Sequence, residues 1–503
     1  MNDPILIWNE IALEANRVNH TNGQDKAESG PPRSARALAI VHLAMYDAYA
    51  DVDTAAGLPH YLNPPSPIPA GATVENAVAG AAYTTLTKLF PSQAAYFQTQ
   101  LLLHGDVTDS GHNYGVHIAD QILNVRINDP SSDPGMYTPT QERGHHDVDP
   151  DNSNQPFHGA HYGSAELFAA KTRFTLDAPP FENSNAEKAK YKKALKQVRA
   201  KGIKPELMGT LPDEFEDTQR TPEETVIGIF WGYDGAIGLG TPPRLYNQII
   251  KKIARARGTT PAENAKLFAM VNVAMADAGA LSWAEKYRYD FWRPVLGVRE
   301  HDKSFGNRVH TPLPAAEKID KDGDPGWLPL GAPASNSANM LVMTAQGNFP
   351  FATVMNGRVK NFTPPFPAYP SGHATFGAAA FQVARLFFGV TAANKRRKPD
   401  TLLKNLKDPD FPTEDIFFIS EELNEKTQDN NGTVRPLHRR TFKDGLWGMI
   451  GENGLSRVYL GVHWSFDAFD DNDPEYNNEI GGVNLGLRIA EDIWDNGLTP
   501  SPV

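Results

Sequence analysis

The chain has 503 residues, 60 acidic against 48 basic side chains, a formal net charge of −12 and no cysteine. The absence of cysteine excludes disulfides, thiolate zinc sites, iron–sulfur clusters and cysteine nucleophiles, so any metal must be held by His, Asp or Glu. The net acidity argues against a nucleic-acid-binding protein, which needs a basic face to neutralise phosphates.

Helical periodicity dominates the sequence from its beginning. Apolar residues recur at steps of three and four, which predicts helices over 5–17, 34–51, 75–89, 94–103, 185–199, 221–233, 243–257, 261–288, 371–388, 443–460 and 481–496. Two stretches rich in Pro, Gly, Asp and Asn, 129–163 and 300–370, are predicted loops. Alternating runs are short, so we expect a single compact all-α domain with long loops closing over one end of packed helices.

Neither a secretory signal nor a membrane span is predicted. Residues 1–19 are interrupted by acidic side chains and lack a basic region followed by an apolar one. The apolar stretches 35–50 and 376–390 are too short to cross a bilayer and contain charged residues. We therefore expect a soluble protein without membrane insertion, in the cytoplasm or released by a non-classical route.

The first chemically distinctive segment runs from Lys286 to Pro294. Lys286 and Arg293 are seven residues apart, so on one continuous helix both cations would face the same way. Pro294 disfavours helix at Arg293 and predicts a helix end there. The neighbouring Trp283 and Trp292 suit a partly desolvated anion pocket, although a basic helix end that extends its cations into water has the same pattern.

The second segment, Pro370–His373, leads directly into a predicted helix. Ser371 is suited to cap that helix, whose first-turn N–H groups and dipole favour an anion. Gly372 allows close approach of the backbone to a ligand, and His373 can donate or accept a proton there. A capped helix with an incidental histidine is the alternative interpretation.

The third segment contains Arg457, His463 and Asp467. His463 and Asp467 are four residues apart, so on a helix the carboxylate would fix the imidazole tautomer for nucleophilic attack or metal ligation. A structural histidine is the alternative. Together the three segments supply three cations, a helix N-terminus and two histidines in an acidic protein, which predicts a binding site for a tetrahedral oxyanion.

The motifs Lys-x6-Arg-Pro, Pro-Ser-Gly-His and Ser-Arg-x5-His-x3-Asp together resemble the signature shared by vanadium-dependent haloperoxidases and related type-2 phosphatidic acid phosphatases. The long intervals between the motifs favour a haloperoxidase of the fungal chloroperoxidase type, and that resemblance covers nearly the whole chain. It implies two four-helix bundles with long connecting loops, approximately 1–215 and 216–503, within a single haloperoxidase domain. The active site would lie at one end of the C-terminal bundle.

The resemblance also implies the cofactor and the residue roles. Vanadate would be the cofactor, without haem or flavin. His463 would bind vanadium, His373 would deprotonate hydrogen peroxide, and Lys286 would polarise the peroxide once bound. The residues that would hold the vanadate oxygens are Lys286, Arg293, Ser371, Gly372 and Arg457.

Four further residues receive supporting roles by the same resemblance. Asp234 would pair with Arg457, and Asp467 is a candidate to orient His463. Trp283 and Phe366 would line the halide pocket, which favours oxidation of chloride as well as bromide. Both aromatic residues have a simple alternative role as part of the pocket wall.

The implied reaction is oxidation of halide by hydrogen peroxide to hypohalous acid, which halogenates small organic substrates. An acid phosphatase with His463 as nucleophile is the main alternative, and a non-catalytic oxyanion-binding protein is the third. Homo-oligomer formation stays open, because the family includes monomers and large assemblies. A histidine-rich stretch containing His145, His146, His158 and His161 superficially suggests a metal site, but its irregular loop spacing favours a solvated or rim role.

Overall fold

The computed structural model describes residues 3–22, 28–130, 137–181, 183–300, 323–333, 343–344, 347–348, 361–390, 397–429 and 432–502. The α-helices in these ranges are α1 (Pro4–Asn22), α2 (Pro31–Val52), α3 (Val74–Leu89), α4 (Ala94–His104), α5 (Ser110–Val125), α6 (Asn185–Lys201), α7 (Pro222–Phe230), α8 (Pro242–Arg257), α9 (Pro261–Tyr289), α10 (Pro294–Glu300), α11 (Gly372–Phe387), α12 (Gly445–Tyr459) and α13 (Gly481–Asn496). Two short strands, β1 (Met343–Thr344) and β2 (Gly347–Asn348), pair antiparallel. The all-α prediction is confirmed, while most of the predicted 300–370 loop lies outside the described residues.

Helix α9 runs through the core and ends at the candidate site. Thr260 and Glu263 form a capping box at its start, and Pro261 occupies the first turn. In the described part of the chain it is the one helix long and apolar enough to cross a membrane, a feature that the sequence scan overlooked. Its apolar window is 94% buried in the protein, as expected of a core helix, because α2, α8, α11 and α13 pack around it.

The helices pack in two groups. Helix α2 packs on α3 and α5, and α9 packs on α11 and α13. Helices α2 and α9 also pack against each other and join the two groups, so the core is continuous across the predicted boundary near residue 215. The assignment of a four-helix bundle to each of 1–215 and 216–503 remains a prediction.

Helix α5 was not predicted from the sequence. Its first half contains two glycines, two histidines and an asparagine, all weak helix formers. Tertiary packing outweighs that weakness, because α5 lies very close to α3: a Cβ on Gly115 would come within 2.0 Å of the Ala77 carbonyl oxygen, and one on Gly80 within 2.3 Å of the His112 carbonyl oxygen. The glycines that weaken the helix signal are therefore those that allow the helices to pack.

The described part of the long loop between α5 and α6 packs against the end of α9. The His146 N–H donates to the Asp290 carbonyl at 2.7 Å, and the Trp292 N–H donates to the Gly144 carbonyl at 3.0 Å. Farther along, the buried Asp277 carboxylate on α9 accepts hydrogen bonds from three consecutive N–H groups, those of Phe168, Ala169 and Ala170. The loop thereby covers the region around Lys286.

Candidate active site

Lys286 lies in the last turn of α9 with no exposed surface. Its Nζ donates to the carbonyl oxygens of Pro367 and Ala368 at 2.8 and 3.0 Å. An ammonium has three donors, so one remains for another acceptor. Burial, followed by the nearby Arg293, holds the pKa of Lys286 well below its ordinary value, and an adjacent anion would favour its charged form.

Arg293 does not lie on the same helix as Lys286, so the seven-residue helical argument was wrong. Helix α9 ends at Tyr289, Asp290 adopts a left-handed conformation at φ +49°, and the chain is extended until Pro294 starts α10. The two cations are nevertheless brought to the same site, because the extended segment pairs with the 144–146 loop. The position of Arg293 is therefore set by the pairing of its extended segment with the 144–146 loop and not by helix periodicity.

The Arg293 guanidinium is held by three hydrogen bonds. Nε donates to the Phe366 carbonyl, while Nη1 donates to the Val462 carbonyl and to His463 Nε2, each at 2.8 Å. Burial lowers the pKa of Arg293 to about 9, and the nearby Arg457 contributes in the same direction. Nη2 has no hydrogen-bond partner among the described residues.

The Pro370–His373 segment forms the predicted helix start. Ser371 is the N-cap of α11, and its Oγ accepts a hydrogen bond from the Ala374 N–H at 3.4 Å. Gly372 begins the helix against Trp283, where an added Cβ would lie 3.2 Å from the indole Cζ3. The first turn is therefore packed closely against one wall of the site.

His373 is buried, with its Nδ1 3.8 Å from the Asp234 Oδ1. Burial and then Arg457 lower the pKa of His373 well below its ordinary value, which keeps the imidazole neutral. Its Nε2 has no partner in the described part of the chain. The His373 carbonyl accepts hydrogen bonds from Tyr246 Oη at 3.2 Å and Asn453 Nδ2 at 2.8 Å.

Tyr246 and Asn453 were missed in the sequence. Tyr246 lies on α8, far along the chain, and carried no usable signal. Asn453 is four residues before Arg457 on α12, so the two side chains share a helix face. That spacing is the signal by which Asn453 was recognisable as part of the site.

Arg457 and Asp234 form the ion pair that the resemblance implied. Arg457 Nη2 donates to Asp234 Oδ1 at 2.6 Å, and the arginine side chain has no exposed surface. Burial raises the pKa of Asp234, whereas Arg457 opposes that rise. Among the described residues, Arg457 Nε and Nη1 have no hydrogen-bond partner.

His463 and Asp467 are paired, but not on an α-helix as predicted. Asp467 ends a short 3-10 turn, Ser465–Asp467, and His463 lies two residues before that turn. His463 Nδ1 is 2.8 Å from Asp467 Oδ2. The carboxylate also accepts a hydrogen bond from the Trp464 N–H. Because a carboxylate accepts, Nδ1 of His463 carries the proton in this pair, and Nε2 keeps its lone pair. Burial lowers the pKa of His463 well below its ordinary value and raises that of Asp467 to about 7.

The second and third segments are tied together through the backbone. The Ser371 N–H donates to the Asp467 carbonyl at 2.8 Å. A narrow cavity lies where the segments meet, and its lining residues are Pro31, Asp234, Trp283, Pro364, Phe366, Gly372, His373, Phe376 and His463. All eleven predicted site residues therefore line this cavity or lie in the buried network described around it.

Trp283 and Phe366 form one wall of the cavity. Their ring centroids are 4.8 Å apart, and the Lys286 Nζ lies 5.1 Å from the centre of the Phe366 ring. The wall is thus apolar on its surface and positively charged immediately behind it. Such a wall suits an anion that must lose part of its hydration.

The buried charges of the site favour an oxyanion. The described site holds three cations, Lys286, Arg293 and Arg457, against the carboxylates of Asp234 and Asp467. The unpaired buried atoms of the site include the donors Arg293 Nη2 and Arg457 Nε and Nη1, together with His373 Nε2 and the carboxylate oxygens Asp234 Oδ2 and Asp467 Oδ1. Buried donors are normally satisfied, so the three guanidinium nitrogens call for an acceptor. The acceptor oxygens and negative charge of vanadate or phosphate fit this donor set.

The histidine-rich loop does not form a conventional metal site. The described residues contain no group of three or more His, Asp or Glu side chains placed to hold a metal ion together. His146 is only 3% exposed, so its predicted solvated or rim role was wrong. The pairing of residues 144–146 with the segment before Arg293 buries it.

Comparisons with known proteins find relatives over nearly the whole chain. Family models described as the vanadium chloroperoxidase N-terminal domain and the VCPO second helical-bundle domain match residues 1–158 and 266–494. Vanadium chloroperoxidase from Curvularia inaequalis is 34% identical over 602 aligned positions, covering 99% of this chain and 90% of that protein.

Solved structures show the same fold. A bacterial vanadium-dependent iodoperoxidase superposes with a TM-score of 0.63 at 18% identity, over 100% of this chain and 99% of that one. An apo bacterial vanadium-dependent chloroperoxidase gives 0.59 at 16% identity, over 93% and 94% of the respective chains. With the sequence matches over almost its whole length, the chain belongs to the vanadium chloroperoxidase family of vanadium-dependent haloperoxidases.

Proposed function

We propose that this chain uses vanadate and hydrogen peroxide to oxidise chloride and bromide to hypohalous acid, which halogenates small organic substrates. Membership of the family supports the reaction class and favours it over phosphoester hydrolysis. The observation that carries the proposal is the arrangement at His463. Its Nδ1 faces the Asp467 carboxylate, and three buried cations surround the cavity onto which its ring opens.

The donor set offers a candidate partner for each vanadate contact. His463 Nε2 would bind the metal, and Arg293 Nη2, Arg457 Nε and Nη1 and the remaining Lys286 proton would hold its oxygens, with the Ser371 hydroxyl and Gly372 N–H completing the set. When bound, vanadate supplies a Lewis acid that activates peroxide without a change of oxidation state. Arg293 Nη1 now donates to His463 Nε2, so vanadate would replace this contact.

His373 is the acid–base group in this proposal. Its imidazole is neutral, and Nε2 has no partner in the described chain, so a proton from hydrogen peroxide can be taken up there. The Asp234 carboxylate, 3.8 Å from Nδ1, would stabilise the resulting imidazolium. Hydrogen bonds from Tyr246 and Asn453 to the His373 carbonyl keep the ring in place during this transfer.

Lys286 and the aromatic wall act on the halide step. The Lys286 ammonium would place positive charge near bound peroxide, which would make the peroxide more electrophilic toward halide. Trp283 and Phe366, whose rings pack together in the cavity wall, would exclude water from the approaching halide. A dry, positive pocket favours chloride as well as bromide as substrate.

Two histidine variants test these assignments. His463→Ala is expected to abolish vanadate binding, whereas His373→Ala should bind vanadate but lose halogenation by about 10²- to 10⁴-fold. Equilibrium dialysis with elemental analysis measures the binding, and a peroxide-dependent bromination assay measures turnover. His117→Ala, at an exposed position of α5, is the control and should change neither quantity.

The acid phosphatase alternative uses the same pocket and makes opposite predictions. It requires hydrolysis of phosphomonoesters without vanadate, inhibition by vanadate and loss of hydrolysis in His463→Ala. The haloperoxidase proposal requires vanadate for activity and inhibition by phosphate, because both anions compete for the same donors. Full vanadate binding and bromination by His463→Ala would contradict both assignments of this histidine.

A further inference from the structure

One loop segment, His158–Gly159, contacts both sides of the aromatic wall formed by Trp283 and Phe366, from outside the three signature motifs. The His158 carbonyl accepts hydrogen bonds from Trp283 Nε1 at 3.3 Å and Tyr287 Oη at 2.7 Å. The His158 N–H donates to the Pro365 carbonyl at 3.0 Å, next to Phe366. A single residue's backbone therefore links the Trp283 helix to the Phe366 segment.

Gly159 approaches Trp283 so closely that only glycine fits. A Cβ at this position would lie 2.6 Å from the indole Nε1 and 2.9 Å from Cδ1. Gly159 also has a φ of +74°, in the left-handed region that favours glycine. Both the side-chain clearance and the backbone conformation thus depend on the missing Cβ.

The indole has little room to move away. On its far edge, the benzene ring of Trp283 lies against Gly372, whose hypothetical Cβ would be 3.2 Å from Cζ3. The Phe366 and Phe376 ring centroids lie 4.8 and 6.2 Å from that of Trp283. Gly372, Phe366 and Phe376 all line the cavity. A group that displaces the pyrrole edge of Trp283 must therefore move the indole toward the cavity.

We propose that Gly159, with the His158 carbonyl, is a positioning element that sets the width of the halide pocket through Trp283. This inference rests on the proposed function, since it assigns halide selection to a residue outside the motifs. A Cβ at residue 159 drives the indole toward Gly372 and Phe366 and narrows the pocket. Iodide, the largest of the three common halides, is then excluded more than bromide, and bromide more than chloride.

The test is Gly159→Ala in the full-length vanadate-loaded protein. The KM for iodide is expected to rise by about tenfold relative to that for chloride, because one methyl group in a tight pocket has effects of this size. The affinity for vanadate should stay within about twofold of wild type. Gly57→Ala is the matched control: Gly57 has a φ of +61°, and an added Cβ there would meet nothing within 4 Å.

A rescue experiment separates pocket positioning from general destabilisation. Trp283→Phe removes the indole Nε1 and Cδ1 that the new methyl group would strike, so Gly159→Ala should have little further effect on halide preference in that background. An equal shift of all halide KM values in Gly159→Ala, or an undiminished effect of Gly159→Ala in the Trp283→Phe background, would overturn the proposal.

The two levels of inference can fail separately. Absence of halide oxidation by the loaded wild-type protein would refute the proposed function by itself. The positioning claim is then decided by near-ultraviolet circular dichroism, which reports on buried indoles. Gly159→Ala should change that spectrum, whereas the control Gly57→Ala should not. In the Trp283→Phe background, Gly159→Ala should cause no further spectral change. An unchanged spectrum in Gly159→Ala alone would refute the positioning role.

Discussion

Asp467 acts on the site through His463. Its buried carboxylate lies 2.8 Å from His463 Nδ1 and accepts the Trp464 N–H at 3.0 Å, so it fixes both the ring and the turn that carries it. Partners of this kind increase the basicity of the ligating nitrogen. The carboxylate is thus expected to contribute to cofactor affinity without touching the cofactor.

Asp467→Asn is therefore expected to weaken vanadate binding by about 10- to 100-fold. The amide keeps a hydrogen-bond acceptor of similar shape but lacks the negative charge that favours a basic Nε2. Equilibrium dialysis provides the affinity, and Asp120→Asn, at an exposed position of α5, provides the matched control. An affinity for vanadate equal in both variants would exclude this role of Asp467.

Phe366→His is expected to lower chlorination relative to bromination. The imidazole would replace an apolar ring beside Lys286 and Arg293 with a polar one, and water would enter the pocket. Chloride is harder to oxidise than bromide and depends more on the dry, positive wall. The measurement is kcat/KM for chloride divided by kcat/KM for bromide, with the apolar variant Phe366→Leu as the control. A ratio in Phe366→His as high as that in Phe366→Leu would contradict this role of Phe366.

Individual site residues were the part of the structure most accessible from the sequence. Ser371 caps α11 as predicted, because capping depends on local backbone geometry. The contact between His463 and Asp467 was also predicted, although on a helix that does not exist. Gly159 and Tyr246 were not foreseen, since their roles arise from contacts between distant segments.

At the scale of elements, the small residues between helices determine how closely they pack. Gly115→Ala would place a methyl group 2.0 Å from the Ala77 carbonyl oxygen of α3, and backbone cannot yield there cheaply. We expect a loss of about 3 kcal/mol in unfolding free energy, the cost of overpacking a core. Denaturant unfolding tests this value, and Gly209→Ala, where an added Cβ meets nothing within 4 Å, should be close to neutral.

A buried histidine links α2 to its neighbours and makes stability depend on pH. His42 Nδ1 lies 2.7 Å from the Leu38 carbonyl, its Nε2 is 3.0 Å from Asn9 Nδ2, and burial lowers the pKa of His42 to about 4. A lowered folded-state pKa gives stability that is present above the unfolded value of 6.5 and lost as the pH falls toward 4. His42 is expected to lower the free energy of unfolding by about 3 kcal/mol as the pH falls from 6.5 to 4.

The corresponding variant is His42→Gln, which cannot take up the proton. Its unfolding free energy is expected to fall less between pH 6.5 and pH 4 than that of the wild type, even if it is lower at neutral pH. His117→Gln, at an exposed position of α5, should retain the wild-type slope. Parallel slopes for His42→Gln and the wild type would show that His42 does not carry this pH dependence.

Most helix starts were predictable from apolar periodicity to within one residue. Helices α7, α9 and α13 all begin within one residue of the predicted position, and capping boxes are present at the starts of α7 and α9. Periodicity predicted the end of α9 at residue 288, one residue before the observed end at Tyr289, whereas Pro294 indicated a helix that reaches Arg293. Residues 290–292 pair instead with the loop at 144–146. That pairing is nonlocal and leaves no periodic trace in the sequence.

At the scale of the whole molecule, the composition is consistent with an oxidising active site. A chain without cysteine has no thiol for peroxide or hypohalous acid to oxidise, although its ten methionines remain sensitive. The net charge of −12 makes the buried cluster of Lys286, Arg293 and Arg457 a local exception. The fold brings these cations together from the end of α9, the segment after it and α12.

The central claim is that halide oxidation by this chain depends on vanadate bound in that cluster. The most direct measurement removes bound metal and anions by dialysis against EDTA and then titrates vanadate in the presence of peroxide and bromide. The account predicts no bromination before the titration and a saturable return of activity that reaches its plateau at one vanadate per chain. Activity that survives chelation, or none at saturating vanadate, would contradict it.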